Sequence, residues 1–545
     1  MFNLKEIQTY ISQNKIDWVV VPREDEFLEE YVPAYNERLL WVSGFSGSAG
    51  LAIIGQTSAH LFVDGRYTLQ AADEAKEFQI HSLYELWDWV KTALTPSDSV
   101  GLNLRLHKHS FVTKLKQHVQ NIRHLDPHPV DQLWTDRPLR PKSVTVPHDI
   151  KYSGESIDSK LSRVRSEMAS QTEALYVHDP HDVAWVLNIR GQDLPYTPIT
   201  LCRALIWKHG TVSVFCDHTQ ISDDLRNHLG KNVEFYLESE LEQVLLKSTC
   251  IQIDPTASAY DLDVVAENNV VQSSPISLMK SIKNSVEIEG MRKAHRWDGE
   301  AMRKFREWVF LQDPTTLDEI KASDQLEMFR RESTECKGLS FASISGFGSN
   351  GAIVHYHSTG HTNRQFESQG LYLIDSGGQY LEGTTDITRV FAIGTPTAEQ
   401  RKAYTLVLKG HLRLAMAVFP KGTTGHQLDA LARYDLWQYG LNYEHGTGHG
   451  VGSYLSVHEG PQGISPRMNA TPLQSGMVVS NEPGYYKAGE YGIRIENLMV
   501  VQESEHEGYL CFETLTQVPY EDSLIDVALL TDVELNYLNL QGGKS

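Results

Sequence analysis

Short, mostly apolar runs set between polar stretches give the first half of the chain a strand-rich pattern. WVVV at 18–21, LAII at 51–54 and LFV at 61–63 read as buried strands. ALYV at 174–177, ALIW at 204–207, VSVF at 212–215 and IQI at 251–253 repeat the signature. Between the two groups, residues 134–147 are polar and hold prolines at 138, 141 and 147, which predicts a linker. Two α/β units are therefore expected, at 1–140 and 150–275. LWVSG at 40–44 and AWVLN at 184–188 fall at comparable places in each, as in one module used twice.

The pattern changes from about residue 280. Glu287, Met291 and His295 lie four apart, on one face of a helix. Residues 398–418 carry the apolar stripe of a long amphipathic helix, predicted to pack behind a sheet. LYLI at 371–374 reads as a strand running into Asp375, and residues 384–392 as a second β-rich run. The glycines at 377, 378 and 383 punctuate a long-looped hairpin that brings Asp375 and Asp386 onto one face. Residues 477–479 read as a strand ahead of Glu482, which Pro483 and Gly484 follow. IRIEN at 493–497 alternates as a single strand would, with Arg494 and Glu496 on the same face. Thr531 and Glu534 form a capping box before Leu535 and Leu538. This third unit spans 280–545.

Composition narrows the function. A chain of 545 residues can bury several cores. A net charge of −21 argues against nucleic acid and anionic membranes as partners, and no apolar run reaches the length of a membrane span. The five cysteines (Cys202, Cys216, Cys250, Cys336 and Cys511) are scattered and odd in number, as reduced thiols of a cytoplasmic protein would be. The first twenty residues have no basic segment leading into an apolar core, so no secretory signal is expected. GFGSNG at 346–351 fits GxGxxG, but the strand-like AIVHYH follows it rather than an amphipathic helix, and a dinucleotide loop is not expected. GxSxG, Walker A and CxxC motifs are missing.

The chemistry lies in Asp375, Asp386, His449, Glu482 and Glu496. Four carboxylates and one imidazole hold too many oxygens for one tetrahedral zinc. They suit two divalent cations roughly 3.5–4 Å apart. Acids forced together repel, and cations relieve the repulsion. The Gly-rich stretch 446–452 is expected to let the backbone around His449 bend closely about an ion. His445 and His449 make a His-x-x-x-His pair, but glycines interrupt it and the adjacent Glu of a zinc-peptidase helix is missing.

These motifs in this order (LYLIDSG, GTTDITR, HGTGHGVGSYLSVHEGP, EPGYYKAGEYGIRIEN) resemble the pita-bread metallopeptidases, and among them the long, three-domain aminopeptidase P branch. VSGFSGSAG, VDGRYTLQA, SPISLMKSIKNSVEIEGMRKAH and the C-terminal FETLTQVPYEDSLIDVALLTDVELNYLN extend the likeness over most of the chain. The resemblance implies an α/β and α+β fold: two creatinase-like N-terminal domains, then a pita-bread catalytic domain. It implies an Xaa-Pro aminopeptidase, which releases the first residue of peptides with proline second, through attack of a metal-bridging hydroxide. Asp375 would chelate one ion, Asp386 and Glu496 would bridge, and His449 and Glu482 would complete the other, with Glu482 also the general base. His458 would donate to the scissile carbonyl, His355 would stand at the outer site and His445 would line the prolyl pocket. Arg494, by its shared face with Glu496, is expected to orient a carboxylate or a pocket histidine. Two manganese ions are expected from the oxygen-rich ligands, with zinc or cobalt able to fill the same cage. A homodimer is implied by the tail. The alternatives are a prolidase restricted to dipeptides, metal-free creatinase-like chemistry, or a metal-free peptide-binding protein; the five intact ligands argue against the last two.

Overall fold

A computed structural model describes residues 3–265 and 269–540; the last five residues of the 280–545 unit lie outside the described ones. The chain forms two compact units. One comprises Met1–His148 with Ser156–Ile276, the other Asp149–Glu155 with Ser277–Ser545.

The first unit holds two six-stranded sheets. In the first the order is Gln79–Ser82, Ala59–Val63, Gly50–Gly55, Trp18–Pro22, Ser99–Leu102, Asn121–His124. The middle three strands run antiparallel and the outer ones join in parallel. The second sheet orders Val233–Tyr236, Val212–Phe215, Arg203–Trp207, Ala174–Val177, Ile251–Ile253 and Val270–Val271. Its sequence of parallel and antiparallel joins is the same. LWVSG and AWVLN fall in or just after equivalent short helices, Arg38–Ser43 and Pro180–Val186, each following the central strand of its sheet. The faint repeat in the sequence is thus a repeat of topology. The first sheet is covered on both faces: Val19, Val21, Ala52 and Ile54 pack with Ile7, Ile11 and Leu39, while Val20, Leu51, Ile53 and Phe62 pack with Leu86 and Val90. Period-two alternation between two buried faces explains the unbroken apolar runs.

In the second unit the central strands are Ile344–Phe347, Gly370–Ser376 and Ile387–Ile393, all antiparallel. Leu371, Leu373 and Val390 face Tyr404, Val407, Leu408 and Leu412 of helix Ala398–Ala415. Tyr372, Ile374 and Phe391 face Met302, Phe305 and Val309 of the 27-residue helix Ser285–Leu311. Asn284 caps that helix in a reciprocal capping box with Glu287. A second sheet orders Phe419–Pro420, Tyr509–Thr514, Asn497–Glu503 and Val478–Asn481. The capping box of the tail forms as expected: Thr531 N–H donates to Glu534 Oε2 at 2.8 Å and Glu534 N–H to Thr531 Oγ1 at 3.3 Å.

Three expectations change. The predicted helix 398–418 stops at Ala415, because Phe419–Pro420 pairs with the strand Tyr509–Thr514 and proline cannot continue a helix. AIVHYH is not a strand. Its backbone turns around the carboxylate of buried Glu319, which accepts from Asn350 Nδ2 (3.0 Å) and the Tyr356 hydroxyl (2.7 Å). IRIEN is not one strand either. Tyr491–Arg494 pairs with Gly484–Lys487, and the chain then passes to a new partner, Val478–Asn481, at Asn497. Arg389 Nη1 holds the crossing by donating to the Glu496 carbonyl at 2.7 Å.

Candidate metal centre

Each of the five candidate ligands stands on or beside a strand end. Asp375 lies in the strand Gly370–Ser376, opposite Thr388, and Asp386 immediately precedes the partner strand Ile387–Ile393. Asp386 stands two residues before Thr388, the residue opposite Asp375. The hairpin therefore brings the two acids together, as the spacing predicts, although residues 385–386 interrupt the expected run 384–392. Glu482 follows Val478–Asn481, and its N–H donates to the Thr447 carbonyl at 2.8 Å. His449 lies on the short strand Gly448–His449.

The glycines around His449 serve a different purpose from the one expected. A Cβ at Gly448 would stand 2.0 Å from the Ser480 carbonyl oxygen, and one at Gly450 2.0 Å from that of Glu459. They let the histidine segment lie against two neighbouring backbones, so close approach rather than bending about an ion accounts for them.

Asp386, His449 and Glu496 each offer a ligand atom within 4.8 Å of the others. His449 Nδ1 bonds the Gly450 carbonyl at 2.9 Å, so Nδ1 donates there and Nε2 is the nitrogen turned toward the acids. Nε2 stands 3.4 Å from Asp386 Oδ2 and 3.5 Å from Glu482 Oε1. Asp375 joins through Arg494, whose Nη2 donates to its Oδ2 at 2.6 Å. Arg494 Nε reaches Thr388 Oγ1 at 3.3 Å, and that hydroxyl donates to Glu496 Oε2 at 2.7 Å. Arg494 is thus bonded directly to the Asp375 carboxylate.

The acids themselves test the fit to cations. Asp375, Asp386 and Glu496 are buried, and among the described residues Asp375 Oδ1 and Asp386 Oδ1 have no hydrogen-bond partner. Burial, with repulsion from Asp386, Glu482 and Asp375, pushes Glu496 well above the usual carboxylate range. Asp375 is raised to about 7 by burial and by Asp386 and Glu482, against the pull of Arg494. Burial opposes a charge on His449, yet Asp386 and Glu482 outweigh it and raise the imidazole to about 9. A site that draws protons this strongly lacks positive charge, and hard oxygen donors with one imidazole suit divalent cations. His449 and Glu482, the more exposed pair, form its open side.

Two of the candidate histidines are placed around this cage. His458 lies edge-on to His449, ring centroids 4.4 Å apart. The next residue, Glu459, pairs with buried Lys283. His445 Nε2 meets the Tyr486 hydroxyl at 2.9 Å, and Arg494 Nη1 donates to that hydroxyl at 2.7 Å. For His355 the tie is indirect: the carbonyl of the preceding Val354 accepts from Arg494 Nη1 at 3.4 Å. Sequence reasoning missed Thr388, Tyr486 and Ser480. Ser480 Oγ accepts from His449 N–H (3.0 Å) and donates to Glu482 Oε1 (3.2 Å). Each lies two to four residues from a ligand, and for Thr388 and Ser480 the period-two rule already signals a shared face.

Comparison with known proteins agrees with this geometry. The model of metallopeptidase family M24 matches residues 289–503, and that of its C-terminal region 508–540. Models of the creatinase/prolidase N-terminal domain match 3–133 and 136–287. A relative from Laccaria bicolor named "Probable Xaa-Pro aminopeptidase P" is 39% identical over 98% of this chain and 88% of its own length. Aminopeptidase P1 of Lotus japonicus is 36% identical over 96% and 92%. The crystal structure of an X-prolyl aminopeptidase from Caenorhabditis elegans, described as a cytosolic enzyme with a di-nuclear active site, aligns with a TM-score of 0.93 at 31% identity, over 96% of this chain and 90% of that one. An Xaa-Pro dipeptidase from Bacillus anthracis reaches a TM-score of 0.57 at 25% identity over 67% of this chain and 99% of its own. Matched along nearly its whole length, the chain belongs to metallopeptidase family M24, in the branch of the Xaa-Pro aminopeptidases P.

Proposed function

We infer that the protein is a metal-dependent aminopeptidase that releases the first residue of peptides whose second residue is proline. The observation that carries this reading is the convergence of Asp375, Asp386, His449, Glu482 and Glu496 on one acid-rich cage, in a chain similar end to end to enzymes named for that activity. The dipeptidases align over only two thirds of the chain, which favours the aminopeptidase over the prolidase.

Asp375, Asp386, His449, Glu482 and Glu496 would together hold two divalent ions. Bound there, they would supply Lewis-acid polarisation and neutralise charge that develops in the reaction. The remaining steps fall to the protein. Glu482, at the open side, takes a proton from the attacking water and passes it to the prolyl nitrogen, which leaves as an amine. His458, beside His449, donates to the developing oxyanion. His445, fixed by Tyr486, and His355 line the approach of the prolyl residue. Arg494 holds Asp375 and Tyr486 in place. A prolyl amide has no N–H to grip, so selection falls to shape around its ring.

Oxygen-rich ligation favours manganese. No helix among the described residues is long and apolar enough to cross a membrane, and the cysteines are free. These observations, with the cytosolic description of the Caenorhabditis elegans enzyme, support a cytoplasmic location. The C-terminal tail supports a homodimer by family resemblance. The three segments 1–140, 150–275 and 280–545 would be the working domains. Incubation of manganese-loaded protein with Arg-Pro-Pro should liberate free arginine and leave Pro-Pro. Intact tripeptide in the presence of bound metal would overturn the reading, and cleavage of Arg-Pro alone would favour a prolidase.

A further inference from the structure

Among the described residues, one other group of ligating side chains converges as the cage does. Glu29, Asp179 and His181 each offer a ligand atom within 4.8 Å of the others. We propose that they form a further divalent-cation site, suited to zinc, that ties the first α/β module to the second.

The spacing carries the argument. His181 Nδ1 stands 3.3 Å from Asp179 Oδ1 and 3.5 Å from Glu29 Oε2. A charge-assisted N–H···O bond closes to about 2.7–2.9 Å. Two carboxylate oxygens at near-equal, longer separations from a single ring nitrogen also match the spacing of neighbouring ligands of one ion. Bonds of about 2.1 Å in a tetrahedron put ligand atoms roughly 3.4 Å apart. The cage in the second unit has the same spacing, 3.4 and 3.5 Å from His449 Nε2 to its two carboxylates. One imidazole and two carboxylates suit zinc, with water completing the coordination.

The three side chains come from both halves of the first unit and are held there. Asp179 caps the helix Pro180–Val186, its Oδ1 accepting from His181 N–H at 2.7 Å, which fixes the carboxylate beside the imidazole. Glu29 follows Leu28, whose backbone is left-handed at φ 63°. That turn is held by Asp25: its carbonyl accepts from Leu28 N–H at 3.1 Å and its Oδ1 from Phe27 N–H at 2.9 Å. Glu29, Asp179 and His181 are all half-buried rather than sealed, so an ion can enter from solvent. The site takes no part in the hydrolytic chemistry, and its role is to clamp two repeats.

The test counts ions. Full-length protein is stripped with a chelator, equilibrated with Zn²⁺ at controlled free concentration, and analysed for zinc per chain. Wild type should saturate at one ion more than His181→Ala and than the double variant Glu29→Gln with Asp179→Asn, which keeps side-chain size. Both variants should retain native circular dichroism and peptide cleavage, with a lower thermal midpoint in zinc than wild type. A cage variant, Asp386→Asn with His449→Ala, should still bind one ion, which separates this site from the aminopeptidase reading. Equal zinc content in wild type and both triad variants, or a cage variant that binds none, would overturn the proposal.

Discussion

Buried acids occur in both units, but they are neutralised in different ways. In the first unit the half-buried Asp131 and Glu238 are met by arginines. Arg38 Nε donates to Asp131 Oδ1 at 2.7 Å, and Glu238 is shared by Arg203 (2.8 Å) and Arg140 (2.6 Å). In the second unit, Asp375, Asp386, Glu482 and Glu496 face one arginine and one imidazole, and two carboxylate oxygens have no partner among the described residues. Those pairs are balanced by the chain itself. The cluster of the second unit is balanced only by something the chain does not encode, and that deficit distinguishes a reactive site from a structural one.

The contrast can be broken or sharpened by experiment. The largest effect is expected at Glu482. Glu482→Gln removes the proton acceptor, and kcat for an Xaa-Pro peptide should fall roughly 10²–10⁴-fold with the fold intact by circular dichroism. Retained turnover would remove Glu482 from its role. Next comes a matched pair of substitutions. Asp131→Asn leaves buried Arg38 without its partner and should destabilise by about 3–5 kcal/mol in urea unfolding, with or without metal. Asp386→Asn should do the reverse in metal-free protein: it removes a repelling charge and stabilises, while lowering the number of manganese ions bound. A metal-free Asp386→Asn protein less stable than wild type would mean that the cage is not short of positive charge.

A smaller effect concerns pH. Burial holds His128 down to about 4 and His107 to about 3. His128 is fixed as the neutral form, with Nε2 bonded to the Val20 carbonyl and Nδ1 accepting from Val130 N–H. The unfolded chain takes up these protons near 6.5 and the folded chain does not, so their contribution is complete above that pH and is lost as pH falls through it. At pH 5 each should have given up about 2 kcal/mol relative to pH 8, read by denaturant titration of metal-free protein. Replacing both by glutamine should flatten that slope. The mildest change is Tyr486→Phe, which unties His445 from Arg494. It should cost about 1 kcal/mol, appearing as a KM several-fold higher for the prolyl substrate with kcat little changed.

Much of this architecture was legible in residue order. Apolar runs located the central strands of both modules, and LWVSG with AWVLN marked a repeat that the sheets reproduce join for join. The pairing of Asp375 with Asp386 followed from strand, turn and strand, and Glu482 from its place at a strand end. Local pattern failed where distant groups decide the backbone. AIVHYH has the composition of a strand, but Glu319, more than thirty residues earlier, recruits Asn350 and Tyr356 and folds the segment into turns. IRIEN alternates faultlessly and is still split between two sheets, since Arg389 grips the carbonyl of Glu496.

The sequence alone therefore determined which residues can ligate, which strands carry them and which family they resemble, because periodicity and short motifs are properties of neighbours along the chain. Tertiary structure decided that Arg494 serves Asp375, that Tyr486 holds His445, and that Glu29 meets Asp179 and His181. Those pairs lie from about forty to one hundred and fifty residues apart, and only the packing of separate strands and helices brings their charges within reach of one another.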